Sequence, residues 1–149
     1  MSGKNRILIC ICVILICSGC EYEKQTVGAD GLVTMSATLT EDNSTILACT
    51  IVNKTKKDIV VGEEYNLQVL KDKSFVDVPL LPEAGAFNLL SRDILVGEEY
   101  SYKTNIEENY GDLEAGRYRI VKEYTNKEKG SQEKENASQE TVSAEFDLP

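Results

Sequence analysis

From Leu32 to Leu148, short stretches in which apolar and polar residues trade places at every second position dominate the chain, and this period constrains the fold more than any other feature. In Val33-Thr34-Met35-Ser36-Ala37-Thr38-Leu39-Thr40 the alternation with hydroxyl residues is unbroken. Successive side chains of a strand point to opposite faces, so such a segment buries one face and wets the other. Glu41-Asp42-Asn43-Ser44 reads as a turn, and Thr45 to Val52, apolar on both faces, as a central strand. Further strands are expected at Tyr65–Leu70, Phe75–Val78, Glu99–Ile106, Arg117–Tyr124 and Thr141–Leu148. Asn53 to Asp58 reads as a solvated connection, and Asn105 to Leu113 has room for one short helical turn. The class is all-β, arranged as an antiparallel β-sandwich.

The first nineteen residues follow a different logic. Lys4 and Arg6 precede an apolar run from Ile7 to Cys17, and no acid occurs before Glu21. A basic start, a short apolar stretch and then small residues make a secretion signal. The run is about half of the ~20 residues a membrane-spanning helix needs. Ser18-Gly19-Cys20 resembles the end of a bacterial lipoprotein signal, in which small residues precede the cysteine that receives lipid and becomes the new N-terminus. Cys17 departs from the aliphatic residue usual three places before that cysteine. The expected organisation is a signal peptide at residues 1–19, a lipidated Cys20 with a tether over residues 20–31, and one sandwich over residues 32–149.

Charge and cysteine content fit that location. The chain has 25 acids against 16 basic residues, and removing the signal takes Lys4 and Arg6 but no acid. Such a body is repelled by anionic headgroups, so lipid on Cys20 would be its membrane attachment. The acidity also argues against nucleic acid as a partner, since phosphate binding needs a basic face. Cys10, Cys12 and Cys17 leave with the signal, which makes Cys49 the one remaining thiol besides Cys20. In its apolar run Cys49 reads as a small buried hydrophobe.

The sequence contains no histidine and no tryptophan. Ser-His-Asp and Cys-His catalysis and His-liganded metals are therefore out of reach. Glu63-Glu64, Glu98-Glu99 and Glu107-Glu108 are expected as solvated acids, because neighbours on a strand cannot converge on one substrate atom. Arg117 and Arg119 are expected to pair across strands with acids. Val61-Gly62-Glu63-Glu64-Tyr65 recurs as Val96-Gly97-Glu98-Glu99-Tyr100, read as two glycine turns that each open a strand with a core-facing tyrosine. Asn126 to Glu140, rich in Lys, Glu, Gln and Ser, reads as a flexible loop. Asn53-Lys54-Thr55 matches a glycosylation acceptor, a reading the bacterial signal disfavours.

Asp112-Leu113-Glu114-Ala115-Gly116-Arg117-Tyr118-Arg119-Ile120 resembles the tyrosine corner of immunoglobulin-type domains. The resemblance gives Gly116 the tight turn and Tyr118 the hydroxyl that folds back onto the backbone. It also sets Cys49 against Ile120 where antibody domains carry a disulfide. More closely, Gly62-Glu63-Glu64-Tyr65-Asn66-Leu67, Val76-Asp77-Val78-Pro79, Ala86-Phe87, Tyr110 to Lys122 and Ala144 to Leu148 resemble a bacterial immunoglobulin-like domain family of small exported lipoproteins. Phe75 stands where that family often has tryptophan. The resemblance implies no catalytic residue, cofactor or metal. It implies a non-catalytic binding domain held by lipid at the extracytoplasmic face of the cell membrane, with an envelope protein or glycan as partner. The alternative is an accessory or inhibitory lipoprotein acting on an envelope enzyme through loops near Pro79–Pro82 or Asn126–Glu140.

Overall fold

The computed structural model describes residues 26–27, 31–41, 43–84, 87, 90–127 and 139–149. The expected signal peptide and Cys20 lie outside them, as does nearly all of the loop expected after Asn126. The strands are β1 (Thr26–Val27), β2 (Val33–Thr40), β3 (Asn43–Asn53), β4 (Ile59–Gly62), β5 (Asn66–Lys71), β6 (Ser74–Asp77), β7 (Ser91–Ile94), β8 (Glu99–Asn105), β9 (Gly116–Asn126) and β10 (Gln139–Leu148). One short helix, α1 (Ile106–Tyr110), fills the turn expected between Asn105 and Leu113. Asn105 caps it, its side-chain oxygen accepting from the Glu107 backbone N–H.

Two antiparallel sheets face each other. One has the order β1-β2-β3-β8, with β3 central as its doubly apolar sequence requires. The other is built on β9. Along one edge of β9 runs β10, from Gly116↔Leu148 to Thr125↔Gln139. The other edge is shared, because Tyr118 to Val121 pair with β5 and Tyr124 to Asn126 pair with β4. The sheet therefore forks at Lys122–Glu123. From the fork, β5 continues to β6 and β4 to β7. The β5–β6 hairpin turns on Asp72 and Lys73, both with positive φ, as a two-residue loop of that handedness demands.

The core draws one face from each strand. Val33, Met35 and Ala37 of β2 and Leu47, Cys49 and Ile51 of β3 meet Leu67, Tyr118, Ile120, Val142, Ala144 and Phe146 of the opposite sheet. At one side β10 packs against β2 and β1, closing the sandwich. At the other, β8 and β7 each have a neighbouring strand on one edge alone.

Four expectations change. Thr26–Val27, assigned to the tether, pairs with Thr34 and Met35, because the β2 edge offers unpaired backbone groups. Asn53 and Thr55 of the supposedly solvated connection are buried. Asn53 Nδ2 donates to the Lys57 and Ile94 carbonyls at 2.9 and 3.0 Å, and its Oδ1 accepts from the Thr55 N–H. With its amide so engaged Asn53 is no glycan acceptor. Arg117 does meet Glu145 at 3.2 Å, but Arg119 bonds Gln68 Oε1 and lies 4.2 Å over the Phe75 ring. The Val-Gly-Glu-Glu-Tyr copies also differ. Gly97 is a turn residue at φ +81°, whereas Gly62 closes β4 without positive φ, and Tyr100 is half-exposed where Tyr65 is buried.

Candidate functional site

The open side of the sandwich holds a cleft of about 680 Å³. Its walls come from the end of β4 and the chain after it, from β7, from β8 and from the end of α1, with Phe87 and Leu90 at the mouth. This volume lies in the range of small-ligand sites.

Its floor is organised by Lys122. On β9 the inward positions run Tyr118, Ile120, Lys122, Tyr124, so the period that buries tyrosine and isoleucine buries the lysine as well, to 2% exposure. Lys122 sits at the fork, and Nζ donates to the Glu63 carbonyl at 2.8 Å, binding β9 to the chain that leaves β4 for β5. The ammonium also lies 5.2 Å from the Tyr102 ring centre. Tyr102 stacks on Tyr100 at 5.4 Å, and the Arg92 guanidinium covers Tyr100 at 4.6 Å. Arg92, Tyr100, Tyr102 and Lys122 thus join in series across the gap between the sheets. Burial pulls the Lys122 amine down to about 8, while Cys49 and the neighbouring glutamates oppose the shift.

Tyr102 is an exception to polar satisfaction. Its hydroxyl is buried and has no oxygen or nitrogen partner among the described residues. The neighbouring Cys49 sulfur, on the paired strand, is a weak acceptor. Burial drives the Tyr102 hydroxyl far above the ordinary tyrosine value, and the Cys49 thiol to about 11. A thiol so protonated is a packing group and a poor nucleophile. Cys49 and Ile120 both belong to the core, but the polar surroundings of the thiol are Tyr102 and Lys122.

Tyr65 lines the cleft, and behind it Tyr110 is hydrogen-bonded to its backbone. Tyr65 Oη accepts from Thr104 Oγ1 at 3.1 Å and from Asn109 Nδ2 at 2.9 Å. Tyr110 Oη donates to the Tyr65 carbonyl at 3.0 Å and accepts from the Leu67 N–H at 3.1 Å. Phe87 meets the Tyr65 ring edge-on at 5.2 Å. Burial raises both tyrosines, Tyr110 to about 12.

The residues singled out from the corner motif lie away from this cleft. Tyr118 Oη donates to the Glu114 carbonyl at 2.7 Å, four residues upstream, and its ring stacks on Phe146. Gly116 begins β9, and a Cβ there would meet the Tyr118 ring at an ordinary 3.7 Å; the positive-φ glycine of the segment is Gly111. Sequence reasoning missed the cleft residues Arg92, Tyr100, Tyr102 and Lys122 as a group. The usable signal was a lysine on the inward set of β9. Among the described residues no group of three Cys, Asp or Glu is close enough to hold a metal. No helix among them is long and apolar enough to cross a membrane.

Two facing antiparallel sheets with a tyrosine folded onto the backbone upstream define an immunoglobulin-like sandwich. The family profile of the bacterial Ig-like domain matches residues 28–147, and the chain belongs to that family. The match begins inside the stretch first assigned to the tether, one residue after β1. Among curated proteins no relative of this chain was found. Ig-like domains of this kind are typically non-catalytic and often displayed outside the cell.

Proposed function

We propose that this protein is a non-catalytic binding module carried on lipid at Cys20, on the extracytoplasmic face of the cell membrane. The observation that carries the binding role is the cleft on the open side of the sandwich, lined by cations, tyrosines and hydrogen-bonding groups. The signal-like start, Ser18-Gly19-Cys20 and the acidic body support the location. Its partner is an envelope protein or glycan.

Cells expressing the chain and its Cys20→Ala variant, fed a labelled fatty acid, test the anchor. Label and membrane retention are expected in the parent and absent from the variant; equal label in both overturns it. Cross-linking in those cells tests the module. A reproducible envelope component attached to the parent supports the reading, and changed activity of an attached enzyme selects the accessory or inhibitory form. Absence of any attached envelope component overturns it.

A further inference from the structure

We propose that the cleft between β7 and β8 is a binding site for an acidic saccharide. This rests on the reading of the domain as a binding module and names its ligand class. Three cations are among the residues that line the cleft: Arg92 from β7, Lys103 from β8 and Lys122 from β9. None of them has a carboxylate within 4.0 Å among the described residues, although acids outnumber bases in this chain. Asp93, next to Arg92, is engaged by Lys127 instead. The three lining cations outnumber the two lining carboxylates, Glu63 and Glu108, so in an otherwise acidic protein the cleft keeps one positive charge that favours a singly charged anion. Arg92 lies over the Tyr100 ring at 4.6 Å, a contact that leaves its N–H donors available.

The remaining lining selects the kind of anion. Glu63 and Glu108 also reach the cleft, and Ser91, Thr104 and Asn109 add neutral donors and acceptors. Carboxylates repel a polyanion, yet they accept readily from hydroxyls. A ligand with one acid group and many hydroxyls satisfies both signs, and that is a sugar acid. Phe87 and Leu90, which also line the cleft, supply apolar surface for its ring carbons.

The test is titration calorimetry of the full chain, purified from membranes in detergent, with trigalacturonic acid, its methyl ester and triglutamate. The acid saccharide is expected to bind with Kd of about 1 mM or tighter, and the ester at least about tenfold more weakly. Arg92→Gln with Lys103→Gln, both on exposed positions, should weaken the acid about tenfold and leave the unfolding midpoint unchanged. Lys122→Met probes the floor but also removes the bond to Glu63, so the surface pair decides the matter. No heat with the saccharide, equal binding of the ester, tighter binding of triglutamate, or an unaffected double variant each overturns the site. Such a failure leaves an envelope partner captured in cells untouched, whereas absence of any partner in cells would not erase saccharide binding by the purified chain.

Discussion

Lys122 on β9 donates to the Glu63 carbonyl at 2.8 Å across the point where β9 exchanges β5 for β4 as its neighbour. A forked sheet leaves backbone groups at the fork without a ladder partner, and a long side chain with several donors can reach them. The cost is a buried ammonium with no carboxylate in contact among the described residues, partly relieved by the Tyr102 ring.

This cost makes stability depend on pH in a readable way. Between about 8 and the ordinary 10.5, the unfolded chain keeps the Lys122 proton that the folded chain has shed, so stability rises with pH. Cys49 and Tyr110 act oppositely. Folding holds their protons up to about 11 and 12, so their contributions fall as pH climbs above 9.0 and 10.0. Urea unfolding from pH 7 to 11 should show a rise above about 8 followed by a decline. Lys122→Met should lose the rise and keep the decline; a rise that persists refutes the assignment.

Tyr102→Phe removes a buried hydroxyl that has no oxygen or nitrogen partner among the described residues. Deleting an unsatisfied polar group spares its desolvation, so the unfolding free energy should stay level or gain up to about 1 kcal/mol. A loss above that size in denaturant melts would mean the hydroxyl is bonded.

Asn53→Ala should be among the costly polar substitutions. It removes the Asn53 amide from the Ile94 carbonyl and the Thr55 N–H, and takes one of two donors from the Lys57 carbonyl, in a place with 0% exposure at Asn53 itself. A loss of about 2–4 kcal/mol is expected from chemical denaturation.

The two copies of Val-Gly-Glu-Glu-Tyr give an internal control. Gly97→Ala forces an L side chain into φ +81° and should cost about 1 kcal/mol, although the space there is open. Gly62→Ala adds a Cβ 3.9 Å from the Glu64 nitrogen with no such φ, and should cost less than about 0.5 kcal/mol. Paired thermal melts separate the two.

Tyr118→Phe removes the bond to the Glu114 carbonyl and should destabilise by about 1 kcal/mol. Its melting curve should shift without loss of cooperativity, since the ring still packs on Phe146.

Period two made most of the strands legible, because each of those segments buries one face and wets the other. β7 escaped, since Ser91-Arg92-Asp93 is exposed on an edge and carries no apolar alternation. β4 escaped because Ile59-Val60-Val61 is too short to display a period. Asn53 and Thr55 looked solvated because polar residues that satisfy a buried turn have the same composition as ones that face water. The cleft was illegible for a related reason. Arg92, Tyr100, Tyr102 and Lys122 come from three strands, and sheet order, which brings them together, is written in no single segment.

The order β1-β2-β3-β8 carries a consequence for how a lipid-held body would sit. Docking of Thr26 leaves six peptide steps back to Cys20, a leash of at most about 20 Å. That is shorter than the width of a typical domain, so the β1 margin would ride close to the bilayer with little freedom to tumble. The cleft opens beyond β8, three strand spacings or about 14 Å across the same sheet. A lipid on Cys20 would therefore hold the body by the margin of the sheet opposite the one that borders the cleft, leaving the cleft on the side away from the attachment.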